Sequence, residues 1–133
     1  MRRKLVSLFA AIGLLLAIMP LLAHHSFYAE FDADRPIKVT GAVTKVEWEN
    51  PHAWFYVDVR DESGKTTNWG FEMGSPNLLL RAGWARNTLK IGDVVTVEAS
   101  RAKNGANIAN AKSVVLNRNG QKLFTGSSQG PTP

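Results

Sequence analysis

Three stretches in the first half of the chain alternate apolar and polar residues with the period of two that is typical of β-strands. Residues 37–48 form the first stretch, with Gly41 at a point where a bulge would bend the strand. Residues 52–60 and 66–73 form the second and third, and the polar turn at 61–64 between them is typical of a hairpin. The pattern therefore predicts a three-stranded meander.

The next segment changes to the pattern of a short helix. Ser75 suits an N-cap, Pro76 suits the first helical position and Gly83 can end the helix, with three leucines between them as an apolar face. Alternation returns afterwards, and further strands are expected at residues 94–101, 109–116 and 122–124.

Three strands, a helix and two more strands are the order of an OB-fold, a five-stranded Greek-key barrel. We therefore predict an all-β fold with one short helix, built as an OB-fold-like barrel. A β-sandwich is the alternative, which the mid-chain helix disfavours. The barrel is expected to span residues 37–125, after an extended leader segment at 24–36 and before a disordered tail at 126–133.

The N-terminus has the three-part order of a secretory signal peptide. Three basic residues at 2–4 precede an apolar run, and Pro20 precedes a cleavage point after Ala23. We expect residues 1–23 to be removed, so that the mature protein is periplasmic or secreted and meets the membrane only through the signal peptide before cleavage. An uncleaved anchor is the alternative, since Leu21 is bulkier than the usual residue three places before the cut.

The net charge of the chain is +5, and the predicted signal peptide supplies part of it. Without residues 1–23, thirteen basic and eleven acidic residues remain, a net charge of +2. Residues 24–80 carry −4 and residues 81–122 carry +6, an asymmetry that could steer an anionic ligand or partner, although an ordinary solvated surface is the alternative. Because export separates the protein from the genome, we expect no nucleic acid partner.

Signatures of an enzyme are missing from the sequence. The chain has no cysteine, no Gly-x-Ser-x-Gly elbow and no phosphate-binding glycine loop, so nucleophilic and nucleotide chemistry have no identifiable residues. The carboxylates Glu47, Glu49, Asp58 and Glu72 could pair for acid–base work, but strand residues of this kind are usually solvated. We therefore expect a non-catalytic protein that requires no cofactor.

Three motifs resemble those of a known family. They are AHHSF at residues 23–27, VTKVEWENPHAW at 43–54 and FEMGSP at 71–76. The motifs resemble a family of small exported bacterial proteins classed as domain of unknown function 6152, and the resemblance covers almost the whole mature chain. It implies an exported domain and no mechanism, so the functional residues must be sought in the sequence itself.

Side-chain parity on the second and third strands predicts a ligand-binding face. Residues 53, 55, 57 and 59 are apolar and share the side that suits the barrel interior. The opposite face carries His52, Trp54, Tyr56, Asp58, Asn68 and Glu72. OB-folds commonly bind ligands on this face, and an aromatic pair with polar neighbours can stack on a flat or sugar-like molecule. We predict a small ligand or a periplasmic protein as the partner.

The leader segment offers a purely structural alternative for the aromatic pair. Phe27, Tyr28 and Phe31 could pack over Trp54 and Tyr56 and form a second small core. In that case the outer face would be covered and would not bind a ligand.

The histidines indicate a second function, copper binding. Cleavage after Ala23 would make His24 the N-terminal residue, whose amine and ring nitrogen can chelate one ion together. A second imidazole from His52 would complete a histidine brace, and His25 would give a looser local chelate. The structural alternative is that His52 only caps the start of its strand.

Overall fold

The computed structural model describes residues 26–126. The predicted signal peptide, His24, His25 and residues 127–133 of the predicted tail lie outside the described residues. The elements are α1 (Ser26–Glu30), β1 (Phe31–Glu47), β2 (Trp54–Arg60), β3 (Thr66–Glu72), α2 (Pro76–Arg81), β4 (Val94–Ala102), β5 (Ile108–Leu116) and β6 (Gln121–Phe124). Neither α1 nor α2 has the length or the apolar run needed to cross a membrane.

The strands close into the predicted barrel. They follow the order β3-β2-β1-β4-β5-β6, and a parallel pairing of β3 with β5 joins the two ends of the five-stranded part. Strand β1 is shared, because it pairs with β2 on one side and with β4 on the other. This closed order, with α2 between β3 and β4, is that of an OB-fold. The OB-fold-like prediction is confirmed, and the closure excludes the β-sandwich.

Strand β1 bends three residues later than we predicted. Its register against β2 shifts between Val43 and Lys45, whereas Gly41 itself stays in register opposite Val59. Gly41 is needed for a different reason: a Cβ there would lie 2.0 Å from the backbone oxygen of Asp58. The glycine therefore permits the close approach of β2, and the bulge lies at Thr44.

The helix α2 has the predicted ends. Ser75 accepts a hydrogen bond from the backbone N–H of Leu78 at 3.3 Å, and Pro76 opens the helix. Gly83 follows with a φ of 91°, which a residue without a side chain adopts readily. Leu79 and Trp84 pack into the core from this segment. The predicted helix boundaries are confirmed.

The core lies inside the barrel and has the predicted parity. Ala53, Phe55 and Val57 of the second-strand segment are fully buried, while Val59 is half-buried near the strand end. Phe55 stacks on Phe71 of β3 with 5.2 Å between ring centroids. The alternation on β2 and β3 therefore assigns the two faces correctly.

The leader segment is extended as predicted from Phe31 onwards, but it is helical before that residue. Residues Ser26–Glu30 form the helix α1, and β1 begins already at Phe31, where it pairs with Ala102 of β4. Phe27 and Phe31 stack with 5.7 Å between ring centroids and form a small buried cluster with Ala102. The helical turn brings Phe27 back against Phe31 at the start of β1, so that both rings are buried together with Ala102 of β4.

Candidate functional site

Four strands place their side chains in rows on the outer face of the barrel. Strand pairing aligns Glu47, Trp54, Glu72 and Asn110 in one row across β1, β2, β3 and β5. The next row consists of Lys45, Tyr56, Gly70 and Ile108. Trp54 and Tyr56 therefore stand in the middle of a four-stranded surface, as the parity of β2 predicts.

The aromatic pair at the centre of this face is only partly covered. Trp54 and Tyr56 stack with 6.5 Å between ring centroids and 21° between ring planes, and both residues are half-buried. Gly70 makes room for them, because a Cβ there would lie 3.1 Å from a ring carbon of Tyr56 and 3.8 Å from one of Trp54. The rings thus lie low over the neighbouring strand and keep one part exposed.

Tyr56 contacts two residues of β1 that the sequence analysis did not predict as part of the ligand-binding face. Its hydroxyl donates to Glu47 Oε2 at 3.2 Å, Lys45 forms an ion pair with Glu47, and the Lys45 ammonium lies 5.2 Å from the ring centroid. The hydrogen bond with Lys45 lowers the pKa of Glu47, and the same bond raises the pKa of Lys45. Burial, then the hydrogen bond to Glu47, raises the pKa of Tyr56.

The bulge in β1 explains why these two residues were missed. Counting by twos from the buried Val43 places Lys45 and Glu47 on the core side, but the register shift at Thr44 turns both outward. A signal was present in the sequence, because the charged residues at 45 and 47 alternate with the apolar Val46 and Trp48. That change of parity indicates the bulge.

Asp58 and Asn68 form a pair at one end of the face. The Asn68 amide donates to Asp58 Oδ1 at 2.8 Å and to Thr44 Oγ1 at 3.0 Å. Both residues are exposed and directly opposite each other on β2 and β3. Their polar groups already bond to each other, and the pair borders the aromatic surface at its far end.

Glu72 and His52 lie at the opposite end of the face and are less accessible. Glu72 is on the outer face as predicted, but only 6% of it is exposed, and the Asn110 amide donates to its Oε1 at 3.2 Å. His52 Nδ1 lies 3.4 Å from the same oxygen, with 30% of its side chain exposed. These residues form a mostly buried polar cluster beside Trp54, in which Asn110 is a member that sequence analysis did not identify.

A cleft of about 350 Å³ opens beside Trp54. Its lining residues come from α1, the start of β1, β2, the end of β4, the β4–β5 connection and the start of β5: Ala29, Glu30, Phe31, Trp54, Ala102, Lys103, Asn104 and Ile108. The leader segment therefore forms a wall of this cleft, with Phe27 and Phe31 buried in their own cluster and Tyr28 65% exposed. Trp54 stays half-buried at the junction between the cleft and the outer face.

The described residues assemble no metal centre. No group of three or more His, Asp or Glu side chains within residues 26–126 could hold a metal ion. Of the three predicted copper ligands, only His52 is described, and it is next to Glu72. The copper hypothesis therefore stays a prediction that depends on His24 and His25.

Comparisons with known proteins identify a family. Residues 13–111 match the family of unknown function DUF6152. No curated protein matches the chain. A solved structure that is similar to it is that of the mitochondrial single-stranded DNA binding protein Rim1 from S. cerevisiae, with a TM-score of 0.49 and 13% sequence identity, covering 65% of this chain and 94% of that one.

The similarity to Rim1 requires a correction to our prediction of partners. We expected no nucleic acid partner, and the comparison contradicts this expectation, since the similar solved structure is that of a single-stranded DNA binding protein. The exclusion depended on export, and the predicted signal peptide lies outside the described residues.

Proposed function

This chain belongs to the DUF6152 family of unknown function, and from its own residues we propose that it is a non-catalytic binding module that takes its ligand at Trp54 and Tyr56 on the outer face of β2 and β3. The observation that carries the proposal is the stacked, half-buried aromatic pair at the centre of this face. Large aromatic side chains that stay partly exposed beside polar groups are typical of ligand sites.

Three features of the face support ligand binding over a purely structural role for the pair. Gly70 lets the two aromatic rings lie low over β3, the Glu47–Lys45 pair fixes the Tyr56 ring, and a cleft of about 350 Å³ begins at Trp54. The cleft volume is within the range of small-molecule sites. A preformed aromatic surface loses little conformational freedom when it binds, which favours affinity.

The site of action in this proposal is the periplasm or the outside of the cell. The basic residues at 2–4, the apolar run after them and Pro20 before Ala23 support export. A non-catalytic role is supported by the arrangement of the polar groups near the aromatic pair: Glu47 is bound to Lys45 and Tyr56, and Asp58 is bound to Asn68.

A ligand screen with a matched pair of variants tests the proposal. The full protein would be screened by NMR against periplasmic metabolites, glycans, peptides and a single-stranded oligonucleotide. Trp54→Ala should abolish binding of any ligand found while the circular dichroism spectrum stays native. The control Trp48→Phe alters a half-buried aromatic residue near the end of β1 and should leave binding intact. Unchanged binding by Trp54→Ala would refute the proposal.

Copper binding is a second candidate, which one contact of His52 favours. Its Nδ1 lies near the Glu72 carboxylate, which leaves Nε2 to face a metal, and histidine ligands of metals commonly use their other nitrogen in this way. His24 would supply the amine and a second ring if cleavage follows Ala23. Mass spectrometry of the exported protein would locate the cut, and a start at another residue eliminates the brace. Equal Cu(II) affinity of the wild type and His52→Ala would eliminate the two-histidine site.

A further inference from the structure

Two residues of opposite charge line the cleft beside Trp54 and form no ion pair with each other. Glu30 ends α1 and Lys103 follows β4, and both contribute to the wall of the cleft. Within residues 26–126 no ion pair joins them, and no hydrogen-bonding group bonds to the Glu30 carboxylate. A cleft with an acidic and a basic residue in its wall suits a ligand that carries both charges.

Lys103 is fixed in its position by α1. Its backbone N–H donates to the Glu30 carbonyl oxygen at 2.9 Å, and its ammonium donates to the Tyr28 carbonyl oxygen. An ammonium group has three N–H donors, so this bond leaves two of them for a ligand. No carboxylate among the described residues neutralises Lys103, and its positive charge therefore stays available at the cleft.

The remaining lining residues separate into a polar and an apolar part. Asn104 accepts a hydrogen bond from the backbone N–H of Ala106 at 3.0 Å through its side-chain oxygen, so its NH₂ group is a donor beside Lys103. Phe31, Ala102 and Ile108 give the cleft an apolar surface, and the Trp54 ring completes it. An indole face attracts an ammonium group through the negative electrostatic potential of its ring face.

From this arrangement we propose that the cleft binds a small zwitterion with an ammonium group, of the amino acid and betaine class. The ammonium group lies between the Glu30 carboxylate and the Trp54 ring, and the ligand carboxylate accepts hydrogen bonds from Lys103 and Asn104. The inference rests on the proposed function, because it specifies the ligand of the site at Trp54.

Four probes of similar shape separate the charges. Glycine betaine carries both charges, choline carries only the positive charge, 3,3-dimethylbutyrate only the negative charge, and 3,3-dimethylbutan-1-ol neither. We expect glycine betaine to bind the full protein at least about tenfold more tightly than each of the other three, as measured by NMR titration. Choline binding as tightly as glycine betaine, or the absence of betaine binding at millimolar concentration, would overturn the proposal.

Variants assign each charge to its residue. Glu30→Gln should weaken the binding of glycine betaine and of choline about tenfold. It should leave the affinity for 3,3-dimethylbutyrate unchanged. The control Glu62→Gln removes an exposed carboxylate of the β2–β3 hairpin and should change none of the affinities. Because Lys103 also holds α1, Lys103→Arg is the second variant, and it should retain betaine binding. If Glu30→Gln binds glycine betaine with the affinity of the wild type, the proposal that the cleft binds a zwitterion is refuted.

The failure of this inference can be distinguished from failure of the proposed function. Suppose that an uncharged ligand from the screen requires Trp54 for binding and that glycine betaine does not bind. The proposed function is then supported, and the proposal of a zwitterionic ligand is wrong. If Trp54→Ala binds every ligand as the wild type does, both are wrong.

Discussion

Gly70 lies beneath the ring of Tyr56, and a Cβ at position 70 would approach that ring to 3.1 Å. The two residues are directly opposite each other on β3 and β2. A separation of this size is shorter than ordinary carbon–carbon contact, so any larger side chain must displace the ring. The glycine thereby determines how low the aromatic pair lies on the outer face, and it links the sequence of β3 to the shape of the proposed site.

Gly70→Val should therefore damage the site more than the fold. Valine suits a strand, but its methyl groups displace the Tyr56 ring and break the hydrogen bond to Glu47. We expect a loss of about 1–3 kcal/mol in the free energy of unfolding, the range for overpacking, together with loss of ligand binding. The control Thr66→Val lies on the same face of β3, away from the aromatic pair. Chemical denaturation and NMR titration measure both effects, and retained binding would contradict the prediction.

Regular alternation is what made the fold and the aromatic pair predictable. The strands β2 and β3 have one buried face each, so a period of two fixes which side chains of residues 53–59 point inward. Ser75 and Gly83 gave the ends of α2 because caps and left-handed glycines are local features. Trp54 and Tyr56 then follow as outward-facing residues, and the structure confirms that parity.

The parts that sequence analysis missed depend on contacts between distant segments. The bulge at Thr44 became visible only in the register against β2, and with it the outward position of Lys45 and Glu47. The buried Glu72 accepts a hydrogen bond from Asn110, which lies 38 residues further along the chain. Neither the helical turn α1 nor its connection to Lys103 follows from an alternating pattern. Local periodicity carries no information about such pairings.

Gly41→Ala should destabilise the barrel strongly. The new methyl group would lie 2.0 Å from the backbone oxygen of Asp58, and backbone cannot move aside as a flexible side chain does. We expect a loss of about 3 kcal/mol, at the upper end of overpacking effects, because β1 and β2 must separate. The exposed Lys38→Ala on the same strand should change stability by less than about 1 kcal/mol. Thermal unfolding measures both, and equal stability of the two variants would show that β2 adjusts.

Ser75→Ala should remove the N-cap of α2. The side chain satisfies the backbone N–H of Leu78, which has no acceptor within the helix itself. Loss of such a cap typically costs about 1 kcal/mol. Asn77→Ala serves as the control, since it changes an exposed residue in the first turn of the same helix. If urea denaturation gives the same midpoint for both variants, the cap does not contribute to the stability of the barrel.

Asp93 should make the stability of the protein sensitive to acid. Burial alone would raise the pKa of its carboxyl, but hydrogen bonds from the Lys90 backbone N–H at 2.9 Å and from Arg118 at 2.8 Å outweigh burial, and the pKa is lowered. A carboxyl with a lowered pKa in the folded state stabilises the fold above its unfolded value of about 3.9. This stabilisation is lost as the pH falls through that value towards the lower pKa of the folded state.

Asp93→Asn tests this acid sensitivity because the variant cannot lose a proton at position 93. At neutral pH the wild type should be more stable by about 1–3 kcal/mol, the contribution of hydrogen bonds to a charged group. The difference should shrink as the pH falls below about 4, since the wild-type carboxyl then becomes neutral as well. Glu62→Gln, at an exposed position in the hairpin, should show a small difference at every pH. The difference in stability between the wild type and Asp93→Asn could instead stay constant down to the lowest pH at which the protein is folded. In that case the Asp93 charge does not stabilise the junction between β4 and the end of β5.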